Sequence, residues 1–183
     1  MLYRISLFIR RFATGKNVLL SVALFMVFQV ILGYFSTQIK AESQNAGVMD
    51  LGFAYTPEEV YTRYLDHYTE KGIALYKIAE CVDLVYPMVY AIMLSLMLTW
   101  GFSGIISPDS PWRLVNVLPF VGADLDYLEN IGVFSVLFTH PEKWMFMATW
   151  TTVFGTLKWL VVAPAILLGL VAVLMRLLGK KSV

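Results

Sequence analysis

The sequence predicts an all-α integral membrane protein, a four-helix bundle with one amphipathic helix in the outer loop. Two observations support this class. Apolar residues make up 58% of the chain and charged residues only 15%, whereas soluble domains average about 25% charged residues. The charges are also spaced so that long apolar runs separate them, and about 20 such residues cross a bilayer. With 183 residues, the chain suits a single transmembrane domain over residues 1–183.

Four spans are predicted, over about residues 17–38, 80–101, 113–138 and 144–176. The first contains no charge between Lys16 and Lys40. A cleaved signal peptide is the rival interpretation, but the apolar run is too long for one and no small-residue cleavage site follows it. A second charge-free run lies between Asp83 and Asp109. Pro141 is expected to open the fourth helix, because proline is favoured in a first helical turn.

The loop after the first span is predicted to hold an amphipathic helix over about residues 57–71. Thr56 and Glu59 match a capping box, and Pro57 fits the first helical turn. Gly72 is a good terminator for this helix. The loop is therefore expected to be folded, and its helix could lie on the bundle as a cap or rest in the lipid headgroups.

The distribution of Lys and Arg predicts the orientation of the chain. The N-terminal flank holds Arg4, Arg10, Arg11 and Lys16, and the C-terminal flank holds Arg176, Lys180 and Lys181. Neither flank holds an acid, so both termini are expected to be cytoplasmic. Residues 36–79 hold more acids than bases and are expected outside. The net charge of +1 argues against a nucleic-acid partner.

The third span contains acidic residues in its middle, which is unusual for a membrane helix. A carboxylate in hydrocarbon costs about 2.5–3.5 kcal/mol on insertion scales. Such a group must pair, face a polar cavity or be neutral. Asp126, Glu129 and Asn130 share one helical face, while Asp124 points away from them. Asp124 is therefore expected to meet another span, such as the first span near Gln29.

Charges from three spans fall at a common depth. Counted from the inner end of its own span at 1.5 Å per residue, each of Asp83, Glu129 and Lys158 lies at about 24–27 Å. Asp126 and Glu80 lie about one turn away. The candidate ligand-binding or buried polar cluster comprises Asp83, Asp126, Glu129 and Lys158, with Glu80, Asn130, Tyr86 and Trp159 around them.

Several roles for this cluster stay open. Lys158 could neutralise one carboxylate, so that the cluster joins the helices as a structural element. One lysine cannot compensate three carboxylates, however, and this favours an outward-facing acidic intramembrane pocket for a lipid-like or cationic small molecule. Such a pocket could bind only, or catalyse an isomerisation-type proton shift. A non-catalytic subunit of a larger membrane complex is the alternative. An ion pathway is the least favoured, because the inner ends of the second and fourth spans are apolar.

No catalytic residue or cofactor can be assigned from the sequence. Cys81 is the only cysteine, and the two histidines do not match a zinc-binding pattern, so no metal site is predicted. Cys81 is expected to pack as a small hydrophobic residue. Membrane lipids and other membrane subunits are the expected partners.

Two groups of segments resemble a set of small, uncharacterised bacterial membrane proteins with four spans. The first comprises Asp50-Leu51-Gly52-Phe53-Ala54-Tyr55-Thr56-Pro57-Glu58-Glu59, followed by Gly72-Ile73-Ala74-Leu75-Tyr76 and Asp83-Leu84-Val85-Tyr86-Pro87. The second joins Asp126-Tyr127-Leu128-Glu129-Asn130 with Thr156-Leu157-Lys158-Trp159. The resemblance implies a multi-pass protein of the bacterial cytoplasmic membrane and brings no activity. A looser likeness, of architecture alone, is to the EXPERA group of sterol-isomerase-like proteins; no catalytic residue is transferred from it.

Overall fold

The computed structural model describes residues 2–107 and 110–179. Within these ranges the chain is helical and contains no β-strand, which confirms the all-α class. Asp109, Lys180 and Lys181, which served to predict a span boundary and the orientation, lie outside the described residues. The α-helices are α1 (Leu2–Phe12), α2 (Gly15–Ala41), α3 (Pro57–Glu59), α4 (Glu70–Asp83), α5 (Tyr86–Gly101), α6 (Leu118–Thr139) and α7 (Met145–Leu178).

Two helices, α2 and α7, are long and apolar enough to cross a membrane. The pair α4 and α5, bent by 41° at the break between them, would count as a third crossing. Only 6% of the apolar window in α2 and 22% of that in α7 is buried. Large exposed apolar faces of this kind need lipid or protein to cover them. These helices therefore indicate association with a membrane.

The N-terminal helix α1 is an element that the sequence interpretation missed. Ser6 and Ile9 are buried, whereas Leu2, Leu7 and Phe8 are exposed. Apolar residues on one helix beside arginines are typical of helices that lie in a membrane interface. The arginines of this segment therefore lie on a helix, and they also served to predict the orientation of the chain.

The helix in the loop begins as predicted and ends earlier. The Thr56 side chain accepts from the Glu59 amide, and the Glu59 carboxylate accepts from the Thr56 amide, which confirms the capping box. After α3 the chain continues through a π-helical turn, Val60–Tyr64, and a 3₁₀ turn, Leu65–His67. We call residues 57–67 the loop helix.

Gly72 does not terminate this helix. Thr69 starts a new one, because its side-chain oxygen accepts a hydrogen bond of 3.1 Å from the Gly72 amide. Helix α4 thus begins at Glu70, well before the predicted start of the second span at about residue 80. The break between α4 and α5 lies just before Pro87, which has no amide hydrogen to donate to the carbonyl of Asp83 four residues earlier.

Two other local predictions are wrong. Pro141 does not open the last helix, which starts at Met145. The amide of Trp144 instead donates to the Tyr61 hydroxyl at 2.6 Å, so the loop helix caps the start of α7. Cys81 is exposed in the last turn of α4 rather than packed inside. A 3₁₀ segment, Pro111–Val117, precedes α6, so α6 itself starts later than the predicted span.

The chain divides into two compact units. The first comprises Met1–Met26, Met88–Ala123 and Leu160–Val183. Inside it, Asn116 donates to the Thr99 hydroxyl at 2.9 Å, and Ser95 donates to the Asn116 carbonyl at 2.6 Å. These bonds join α5 to the 3₁₀ segment before α6.

The second unit comprises Val27–Pro87 and Asp124–Trp159 and holds the predicted cluster. Its core is rich in tyrosine and includes side chains of the loop, α4, α6 and the start of α7. The buried tyrosines are Tyr55, Tyr61, Tyr64, Tyr68 and Tyr76. Burial raises the pKa of Tyr61 and of Tyr64 above its ordinary value, so these hydroxyls stay neutral. The loop is therefore part of the core of this unit.

Candidate functional site

Lys158 on α7 lies at the centre of the candidate site and is only 7% exposed. Its ammonium group forms an ion pair with Glu129 and another, of 3.4 Å, with Asp126. It also donates to the backbone carbonyl of Asp50 at 3.2 Å. An ammonium group has three hydrogens, so these three acceptors use all of them.

Helix α6 presents Asp126 and Glu129 to Lys158 from one face, because residues three apart are neighbours on a helix. Glu129 is completely buried. Gly155 makes room for it: a Cβ atom at this position would collide with the Glu129 carboxylate. Gly132 and Thr151 give a second close approach between α6 and α7. Small residues commonly permit such close helix packing in membranes.

Asp83 and Asn130 form a second polar contact beside the first. The Asn130 amide nitrogen donates to the Asp83 carboxylate at 2.7 Å, and both residues are buried. Asp83 is the last residue of α4, directly before the bend. Glu80 lies one turn earlier and is 1% exposed. Its carboxylate interacts electrostatically with Asp83, Glu129 and Lys158, among others.

Asp50 and Tyr76 belong to the site, and the sequence interpretation missed both. The Tyr76 hydroxyl donates to the Asp50 carboxylate at 2.5 Å and accepts from the Met49 amide at 2.9 Å. These bonds hold the short 3₁₀ turn Met49–Leu51 beside the cluster. Tyr76 could have been found, because it lies one turn before Glu80 on the same face of α4. No local pattern marks Asp50.

The other predicted residues take different positions. The ring of Trp159 lies 5.5 Å from the Lys158 nitrogen, within range of a cation–π contact. The Tyr86 hydroxyl accepts a hydrogen bond of 2.8 Å from Gln29. Asp124 is exposed on α6. Gln29 is therefore engaged by Tyr86, and the expected contact between Asp124 and Gln29 is wrong.

Carboxylates outnumber cations in this cluster. Lys158 interacts electrostatically with all of them: Asp50, Glu80, Asp83, Asp126 and Glu129. A buried charge is stable only when it is paired and hydrogen-bonded. One ammonium cannot balance this set, so the remaining negative charge needs protons, water or a bound cation.

Several buried polar atoms of the site have no hydrogen-bond partner among the described residues. They are Glu80 Oε2, Glu129 Oε1, Asn130 Oδ1, the Tyr55 hydroxyl oxygen and Trp159 Nε1. Leaving such an atom unsatisfied costs about 1–3 kcal/mol. Tyr55 is near the carboxylates, and burial together with the charge of Glu129 raises the pKa of its hydroxyl. The hydroxyl is therefore neutral and can donate a hydrogen bond.

Among the described residues, no group of three or more His, Cys, Asp or Glu side chains is arranged to hold a metal ion.

Fold and cluster together define a broad class: an all-helical protein, with two or three helices able to cross a membrane, that buries an acidic cluster around one lysine. No protein-family model, curated protein or solved structure matches the chain.

Proposed function

We propose that the chain is an integral membrane protein of four spans whose outward-facing acidic pocket binds a lipid-like or cationic small molecule. Asp83, Asp126, Glu129 and Lys158 form the centre of this pocket. Glu80, Asn130, Tyr86 and Trp159 surround it, and Asp50 and Tyr76 are added to them by their contacts.

The observation that carries the proposal is the excess of carboxyl groups over basic side chains around Lys158. The ammonium group is already shared between Asp126, Glu129 and the Asp50 carbonyl. Glu80 is buried without a basic side chain of its own and retains an oxygen without a partner among the described residues. A cationic head group would supply both the missing charge and the missing contact.

The proposed topology assigns one crossing each to α2, to α4 with α5, to α6 and to α7. Helix α6 has 22 residues, which corresponds to about 33 Å and matches the roughly 30 Å hydrocarbon layer. An even number of spans places both termini on one side, in agreement with their basic residues. The loop that contacts Lys158 through Asp50 then lies outside, so a ligand would enter from that side.

Binding of alkyl cations to the protein in lipid nanodiscs tests this proposal. Dodecylamine, which is protonated near neutral pH, should raise the melting temperature in a concentration-dependent way, and dodecanol should not. Glu80→Gln should reduce the shift. Glu58→Gln, an exposed glutamate in the loop helix, is the matched control and should leave it unchanged. Equal shifts from the amine and the alcohol would contradict a cation site.

A second candidate function, an accessory subunit of a membrane complex, is favoured by Asp124. This carboxylate lies on an exposed, otherwise apolar face of α6 that includes Val121 and Ile131. It forms no hydrogen bond or ion pair with any residue in the described ranges. In the proposed topology it would face hydrocarbon unless another helix with a basic residue covered it.

A model transmembrane helix of Leu and Ala with one central lysine distinguishes this candidate. Energy transfer in bilayers should report its association with the wild-type protein. Association should be lost with Asp124→Asn, and also when the lysine of the model helix is replaced by leucine. If the model helix with leucine in place of lysine associated equally well, a partner helix that pairs with Asp124 through a basic residue would be excluded.

A further inference from the structure

The atoms left without partners in the cluster restrict the chemistry of the ligand more narrowly than charge alone. Three of them are acceptors: Glu80 Oε2, Glu129 Oε1 and Asn130 Oδ1. Each belongs to a residue that is at most 1% exposed. A ligand that satisfies these atoms must bring hydrogen-bond donors as well as positive charge.

Lys158 cannot supply these donors. Its ammonium group donates to Asp126 and to the Asp50 carbonyl and is ion-paired with Glu129 Oε2, which accounts for its three hydrogens. The amide of Asn130 cannot turn to help either. Its nitrogen already donates to Asp83 at 2.7 Å, and a flipped amide would place two acceptors against each other.

Tyr55 and Trp159 are the nearby neutral donors of the protein. The Tyr55 hydroxyl has no partner among the described residues and interacts electrostatically with Glu129, Asp50 and Glu80. The indole N–H of Trp159 also has no partner among these residues. Each of the two groups donates only one hydrogen bond, so together they satisfy at most two of the three acceptors and leave at least one.

We propose that the head group bound here is a primary ammonium, which donates N–H hydrogen bonds to Glu80, Glu129 and Asn130. This inference rests on the proposed function and specifies its ligand class. A quaternary ammonium carries the same charge but has no N–H. It would compensate negative charge and supply no hydrogen-bond donor to these acceptors.

The aromatic residues of the site agree with this choice. Quaternary ammonium groups are recognised mainly by the faces of several aromatic rings. The face of Trp159 is already in contact with Lys158. The Tyr76 side chain is fixed by the hydrogen bonds of its hydroxyl to Asp50 and to the Met49 amide. These two aromatic side chains are therefore engaged, whereas three buried acceptors of the site are not.

A graded series of ligands separates hydrogen bonding from charge. Dodecylamine and its N-methyl, N,N-dimethyl and N,N,N-trimethyl derivatives are all cationic near neutral pH and share one chain. Their affinities are measured by calorimetry with the wild-type protein in nanodiscs of a neutral lipid. Affinity should fall with each N–H that is lost, by about tenfold or more across the series, as expected when a buried acceptor loses its donor.

Variants then assign the preference to the site. Glu80→Gln should reduce the preference for the primary amine over the quaternary one, because a side-chain acceptor becomes a donor. Glu58→Gln should retain the full preference. The wild-type series needs no variant, so it decides the question even if Glu80→Gln does not fold.

The outcomes distinguish this inference from the proposed function. If all four cations bind equally and better than dodecanol, the pocket binds cations and the primary-ammonium inference is wrong. If none of the cations binds better than dodecanol, the proposed function fails with it. A preference for the primary amine that survives in Glu80→Gln would also overturn the assignment to these acceptors.

Discussion

Gly155→Ala should destabilise the protein, although alanine is the better helix former. In an exposed helix interior, replacing glycine with alanine stabilises by about 1 kcal/mol. At position 155 the added Cβ would collide with the buried carboxylate of Glu129. Either the helices separate or the carboxylate leaves its ion pair with Lys158.

The structure sets the size of the expected effect. Overpacking a core typically costs about 1–3 kcal/mol, and breaking a buried ion pair costs about 3–5 kcal/mol. After the gain in helix propensity is subtracted, we expect a net loss of about 2–4 kcal/mol if the ion pair breaks, and of up to about 2 kcal/mol if the helices separate. The double variant Gly155→Ala with Glu129→Ala should be little less stable than Glu129→Ala alone, because the collision has been removed.

Gly169→Ala on the same helix is the matched control. Its Cβ would lie 3.6 Å from a Leu94 methyl group and 3.8 Å from Met97, which is ordinary van der Waals contact. Reversible unfolding in mixed micelles should show this variant unchanged or slightly stabilised. If Gly155→Ala and Gly169→Ala had equal stability, the close packing of Glu129 against α7 would be refuted.

Two further predictions concern the loop. Tyr76→Phe removes the hydroxyl that bonds to Asp50 and the Met49 amide, so we expect a loss of about 1–2 kcal/mol and faster hydrogen exchange at residues 49–51; unchanged exchange would contradict the anchoring role. Hydrogen bonds from Lys71 and Thr69 lower the pKa of Glu42 below its ordinary value of 4.5. This contact therefore stabilises the fold above pH 4.5, and its contribution disappears as the pH falls through the pKa that Glu42 has in the folded protein. The stability difference between the wild type and Glu42→Gln should therefore shrink in acid, and a difference that grows there would contradict the sign.

Much of the cluster could be predicted from the sequence, because helix geometry is regular. A fixed rise per residue converts counts along the chain into depth. This placed Glu129 and Lys158 at one level, and they form an ion pair. The same reasoning placed Asp83 near them, and it accepts a hydrogen bond from Asn130 on α6. The roles of these residues in binding a ligand stay a prediction.

Contacts made by irregular backbone could not be predicted in this way. Asp50 reaches the cluster through a segment in which Gln44, Asn45 and Gly47 have positive φ angles. No periodicity describes such a segment, so depth cannot be counted along it. The role of Gly155 depends on which face of α7 meets α6, and this only the packed structure reveals. The bend before Pro87, by contrast, follows from the chemistry of proline.

The accessory-subunit function and the ligand-binding function predict different effects of Glu80→Gln on the stability of the protein. In a purely structural cluster, each polar side chain should contribute to stability. In a pocket that keeps surplus negative charge for a ligand, neutralising one carboxylate should relieve strain in the empty protein. Glu80 suits this comparison because the basic side chain of the cluster, Lys158, is engaged by other residues.

The most direct measurement is therefore the unfolding of the wild type and Glu80→Gln in nanodiscs, each with and without dodecylamine. We expect the variant without ligand to be as stable as the wild type or more stable, by up to about 1 kcal/mol. We also expect the stabilisation by the amine to disappear largely in the variant. A variant that is clearly less stable and is still stabilised by the amine as strongly as the wild type would contradict the claim that this cluster binds the cation.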